Sequence, residues 1–156
     1  VLPVELTIKS DDNYGRVMAS LVNEPEDIDT LELYNPFDLK ERPHFTKGLV
    51  ENISMVANTL DEDFHVLGMS WGSFTTAAHI RRAENIMMDI NYGPDLVRKL
   101  VAKTAGFCEQ VQLRCIDAGA TALWMSDPTA SEDMISRYTY REFAFRGHQA
   151  RLHKRE

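Results

Sequence analysis

The chain has 156 residues, a net charge of −7, 26% charged residues and 44% hydrophobic ones, which is the composition of a soluble globular domain with a real core. The acidic balance argues against a nucleic-acid surface, which needs concentrated Lys and Arg, although the tail after Arg137 is basic. No apolar run approaches a membrane span, and Val1–Ser10 has neither the basic start nor the apolar core of a secretory leader, so a cytoplasmic protein is expected.

Val1–Ile8 alternates loosely and predicts a strand, with Asp11–Gly15 as its turn. That turn does not have calcium-loop spacing, which needs glycine at the sixth position and glutamate at the twelfth. Asn23–Leu33 is acidic and predicts a short helix; Tyr34–Pro43 reads as a surface connection. Pro43 suits the first turn of a helix carrying Phe45, Leu49, Ile53, Val56 and Leu60 at steps of three and four. The acceptor triplet Asn52-Ile53-Ser54 falls inside this helix and is discounted as a glycosylation site. Phe64–Ser70 follows as a buried strand, with His65 read as a satisfied core histidine.

Ser70–Phe74 ends that strand, and Gly72 permits a tight turn or a close approach to a ligand. Thr75–Ile90 is helical with a break near Arg81-Arg82, and Asn91–Pro94 stops it. Pro94 then opens the longest helix, with Val97, Leu100, Val101, Thr104, Cys108, Val111 and Cys115 on one stripe and Gly119 as its stop. Cys108 and Cys115 are the only cysteines. On one helix they lie about two turns apart, too far for a disulfide and unlike a zinc knuckle, so two buried reduced thiols are expected. Thr121–Ser126 is a second buried strand, and a last helix starts near Arg137 with Tyr140, Phe143 and Ala144 as its apolar side.

Strands alternating with long amphipathic helices imply βαβ units and a parallel sheet. Right-handed crossovers bring both carboxyl ends, Ser70–Phe74 and Asp127–Ser131, to one rim, where such sheets bind ligands. Two readings of Asp127 stand at this point. It contacts a ligand, or it caps the turn before the next helix.

These loops carry a resemblance. GMSWGSFTTAAHIRR (Gly68–Arg82) and GATALWMSDPTASEDMIS (Gly119–Ser136) resemble two segments of the uroporphyrinogen decarboxylase superfamily. The Asp-Pro, Ala-Ser, acidic, Ile-Ser form is closer to its corrinoid-dependent methyltransferase branch. The resemblance implies an α/β fold, part of a (β/α)8 TIM barrel, with residues 1–156 as a single domain like the central portion of that barrel. A whole barrel needs roughly 250 residues, so a fragment, or a reduced relative completed by another chain or a homo-oligomer, is expected.

The same resemblance implies methyl transfer from a methyl-corrinoid protein to a thiol or tetrahydrofolate acceptor, with zinc and a corrinoid as cofactors and the isolated segment inactive. Tetrapyrrole decarboxylation, with Arg81-Arg82 holding substrate carboxylates, and a non-catalytic scaffold are the alternatives. Substrate-binding residues implied on the rim are Asp127, Ser70, Trp71, Gly72, Phe74 and His79; no catalytic residue or metal ligand is assigned. Departures from the decarboxylases are His79 at their tyrosine and Pro128 at their serine, and their essential aspartate belongs to an earlier segment. The methyltransferases' His-x-Cys zinc pair does not occur in this sequence.

Overall fold

The structure, a computed structural model, describes residues 6–7, 16–17, 20–33, 43–60 and 63–145. Strands β1 (Leu6–Thr7) and β2 (Arg16–Val17) pair antiparallel, with Leu6 opposite Val17. The expected turn at Asp11–Gly15 and most of the Tyr34–Pro43 connection lie outside the described residues. In the acidic stretch, α1 (Asp27–Thr30) is led by Asp27, whose carboxylate accepts from the backbone N–H groups of Glu24 (3.0 Å) and Asn23 (2.7 Å). Those two bonds favour the charged form and lower its pKa.

Helix α2 (Pro43–Thr59) buries Ile53, with Leu49, Val50 and Ala57 packed beside it. Val56 and Leu60, expected on the same stripe, are 38% and 42% exposed. They sit on the flank of the buried face, where no described element covers them.

Strand β3 (Leu67–Trp71) leads into α3 (Ser73–Arg81), α4 (Ala83–Tyr92) and α5 (Pro94–Asp117), and β4 (Ala122–Ser126) follows. The expected break between α3 and α4 falls at Arg82, which takes φ 72°. Pro94 is the first residue of α5, where its missing N–H costs nothing. The predicted stripe from Val97 to Cys115 is buried throughout, and each fully buried Val or Leu contributes about 1.5–3 kcal/mol. Gly119, at φ 102°, closes α5: its N–H donates to the Ile116 carbonyl (2.9 Å), and the Ala120 N–H to that of Cys115 (3.0 Å). This doubly bonded ending requires the left-handed backbone that glycine supplies.

β3 and β4 are parallel neighbours, in register Leu67–Ala122, Met69–Trp124 and Trp71–Ser126. Among the described residues, only one face of this sheet is covered. Gly68 and Ser70 turn toward α5 and are buried, while Leu67, Met69 and Trp71 are exposed. The expectation of two fully buried strands is therefore corrected: period-two side chains divide between a helix-covered face and an open one. β3 also starts later than expected, so Phe64 and His65 precede it and are exposed; His65 is not a core histidine.

The chain after β4 makes a 3₁₀ turn (Pro128–Ala130), then α6 (Arg137–Thr139), which passes into a π-helical segment (Tyr140–Phe145). The expected final helix is thus mostly π-helical, yet Phe143 and Ala144 are buried as predicted. Arg98 of α5 holds this segment through Glu142 and through the Phe143 ring, 5.4 Å below its guanidinium. The main core joins Phe74, Ala77, Ile80, Ile86, Val97, Leu100, Ile135 and Phe143.

Arg81 ties the amino-terminal stretch to the helices. Its Nε donates to Asp89 (2.7 Å), and one terminal nitrogen donates to the carbonyls of Val22 and Asn23 (both 2.9 Å).

Candidate functional site on the carboxyl rim

The β3–β4 ladder runs one step past the strands: the Gly72 N–H donates to the Ser126 carbonyl (2.7 Å). This bond brings the turn into α3 against the turn after β4. Helix α3 begins at Ser73 with Gly72 as its N-cap, which offers no side-chain acceptor to the first N–H groups. Asp127 supplies one from the neighbouring strand end. Its Oδ1 accepts from the Thr75 N–H (2.7 Å) and the Thr75 hydroxyl (2.6 Å), and its Oδ2 from the Phe74 N–H (3.3 Å). The carboxylate also complements the positive end of the helix dipole. Thr75 Oγ1 accepts in turn from the Thr129 N–H (3.1 Å), which fixes the turn beyond Pro128.

The other rim residues separate by face. Phe74 is fully buried in the main core. Ser70 faces α5, where its hydroxyl accepts from Gln112 Nε2 (3.0 Å). Trp71 points to the open face and is 52% exposed. Met69 and Trp124, side by side in the ladder, share that face at 58% each. His79 is exposed on α3, and its ring stands at 84° to the Trp71 ring with centroids 5.9 Å apart. Partial desolvation lowers the His79 pKa, which favours the neutral imidazole.

The structure thus brings His79 of α3 against Trp71 and makes Asp127 and Gly72 a joint between the turn into α3 and the turn after β4. Ser70 and Phe74 lie on the covered side. Trp124 and Met69 were not among the predicted site residues. Their signal was the two-residue period of β3 and β4, once the open face of one strand is known.

Parallel strands joined by a helical crossover, with this rim, fit the family that the sequence resembles. The uroporphyrinogen decarboxylase (URO-D) family model matches residues 2–154. The chain belongs to the uroporphyrinogen decarboxylase family. A solved structure of a methyltransferase from Methanosarcina mazei superposes with a TM-score of 0.73 at 20% identity, covering 96% of this chain and 43% of that one. At that identity the likeness establishes the fold, part of a (β/α)8 barrel, and the chain spans less than half the length of the matched protein. No curated protein sequence matches the chain.

Open faces of barrel strands point to the barrel interior, and ligands of such barrels bind at the carboxyl rim. The family resemblance implied zinc. Among the described residues, no three His, Cys, Asp or Glu side chains are grouped to hold a metal ion. Cys108 is buried with its sulfur 3.4 Å from the Thr76 hydroxyl, and Cys115 is buried with a pKa raised by desolvation. A raised pKa disfavours the thiolate a metal would need. The described donors do not form a zinc site. No described helix is long and apolar enough to cross a membrane.

Proposed function

We propose that this chain forms the acceptor-side wall of a methyltransferase that moves a methyl group from a methyl-corrinoid protein to a thiol or tetrahydrofolate acceptor. One observation carries the reading. The interior face of β3–β4 is made of Leu67, Met69, Trp71, Ala122 and Trp124, an uncharged, largely apolar surface. It suits an apolar macrocycle and a small nucleophile, since excluding water leaves an attacking thiolate weakly solvated and reactive. The corrinoid arrives on a partner protein as substrate.

The family itself favours a second reading, decarboxylation of a tetrapyrrole bearing several carboxylates. That chemistry needs cations facing the substrate. Of the two arginines expected to serve, Arg81 is engaged by Asp89 and by two backbone carbonyls, and Arg82 lies 3.8 Å from the Glu84 carboxylate. This supports methyl transfer over decarboxylation.

The test supplies the complete protein with methylcobalamin and 2-mercaptoethanol and, separately, with uroporphyrinogen. Thioether formation above the protein-free rate is the expected result. Loss of carbon dioxide from the tetrapyrrole without methyl transfer would establish the second reading, and neither activity would leave a scaffold.

A further inference from the structure

We propose that Thr75 and Asp127 are positioning residues for Trp71, holding its ring where the methyl acceptor meets the open face of β3–β4; the inference rests on the methyltransferase reading. Both act through the turn that carries Trp71. Trp71 is the last residue of β3, and Gly72 follows it directly. Across the ladder Trp71 pairs with Ser126, and Asp127 comes next on that strand. The joint therefore begins one residue beyond the Trp71–Ser126 pair on both chains.

The joint ties more than a helix end. A Ser, Thr or Asp at position 72 would cap α3 locally and leave the two rim turns independent. Residue 72 is glycine instead, Asp127 fills the space its side chain would need, and the cap comes from the other strand. Thr75 then carries the tie further. Its N–H (2.7 Å) and its hydroxyl (2.6 Å) both donate to Asp127 Oδ1, and the hydroxyl oxygen accepts from the Thr129 N–H (3.1 Å). A hydroxyl donates once and accepts with its lone pairs, so Thr75 links the two turns in both directions.

The cap itself does not need that hydroxyl, because Asp127 already accepts from the Phe74 and Thr75 N–H groups. What the hydroxyl adds is a fixed relation between the turn after β3 and the turn after β4. The Gly72 N–H bond to the Ser126 carbonyl (2.7 Å) is a further tie at the same place. Thr75 is buried, so water does not compete for its bonds. Connecting loops are ordinarily the mobile part of a fold, whereas reacting groups must be held to within about 0.5 Å. These ties stand next to Trp71 and give its ring that definition.

The test uses the complete protein, labelled with 5-fluorotryptophan, and its Thr75→Val and Thr75→Ser variants. Trp71→Phe and Trp124→Phe assign the two fluorine resonances. Thr75→Val keeps the N–H bond to Asp127 and removes only the hydroxyl. All proteins are compared well below their melting temperatures, where lost stability alone changes neither resonance nor rate. In Thr75→Val the Trp71 resonance is expected to shift or broaden, while that of Trp124, farther from the joint, stays in place. Methyl transfer from methylcobalamin to 2-mercaptoethanol is expected to lose roughly 10–100-fold in kcat/KM, the scale of a misplacement of about 1 Å. Thr75→Ser is expected to restore both. If Thr75→Val does not fold cooperatively, Asp127→Asn gives the same comparison. A Trp71 resonance that stays unmoved, or that moves together with Trp124, overturns the positioning role while methyl transfer itself stands. A moved resonance with unchanged kcat/KM overturns it equally. A wild-type protein that methylates no thiol removes the methyltransferase reading and this role with it.

Discussion

The Asp127 carboxylate fills the space where residue 72 would carry a side chain. A Cβ built on Gly72 overlaps the Asp127 side chain outright. The two positions are 55 apart in sequence and form one joint: glycine makes room for the carboxylate, and the carboxylate caps the helix that glycine begins. Gly72→Ala is therefore expected to destabilise the chain by about 1–3 kcal/mol, as overpacking does. Urea unfolding checks this. Because the clash is with the Asp127 Cβ as well as its carboxylate, the cost in Gly72→Ala/Asp127→Gly should be less than the sum of the single costs. Additive costs would mean that the strain lies elsewhere.

Asp127→Ala leaves the Thr75 N–H and hydroxyl and the Phe74 N–H without their acceptor. Loss of a helix cap costs about 0.5–2 kcal/mol. Asp127→Asn keeps one acceptor oxygen but gives up the charge facing the helix dipole, so it should fall between wild type and Asp127→Ala in thermal melting. A variant melting like wild type would show that the cap carries no stability.

The capping bond was legible in the sequence only as one of two readings. Asp127 before Pro128 announced a turn, but the helix it caps lies 52 residues earlier, at Thr75. Gly72 held the clue. An N-cap with no side-chain acceptor requires one from another part of the chain. The α5 stripe was legible because seven apolar or small positions keep one helical phase over the run from Val97 to Cys115. The strands were placed and their direction predicted, yet their exposure was not. An apolar run reads the same whether both faces are buried or one faces a barrel interior, and Leu67, Met69, Trp71 and Trp124 take the second course.

Arg81→Met should loosen the stretch from Ser20 to Leu33. The guanidinium serves Asp89 and the carbonyls of Val22 and Asn23, and the Arg81 and Asp89 side chains are each 15% exposed. Removing charge-assisted bonds of this kind costs about 1.5–3 kcal/mol. Hydrogen exchange should rise at Leu21, whose N–H donates to the Ile80 carbonyl (2.8 Å). Unchanged exchange at Leu21 would assign the anchoring to the apolar contacts of Val22 and Ile28 alone.

His79 gives a stability prediction of defined sign. Partial desolvation of its ring lowers the folded pKa below the ordinary histidine value of 6.5. The unfolded chain then takes up the proton first as pH falls. The stabilising contribution is fully present above about 6.5, the unfolded value, and is lost as pH drops toward the folded value. Wild type minus His79→Gln stability, from urea unfolding at several pH values, should rise with pH across that window. A difference that is flat or falls with pH would contradict the desolvated ring.

We propose that the open face of β3–β4 meets the methyl-corrinoid as well as the acceptor. Trp71 and Trp124 are the only tryptophans in the chain, and both lie on that face. Tryptophan emission lifetimes of the chain, titrated with methylcobalamin, therefore report on this surface alone. Saturable quenching is expected, weakened in both Trp71→Phe and Trp124→Phe. Quenching that grows linearly without saturation, unchanged by either substitution, would contradict it.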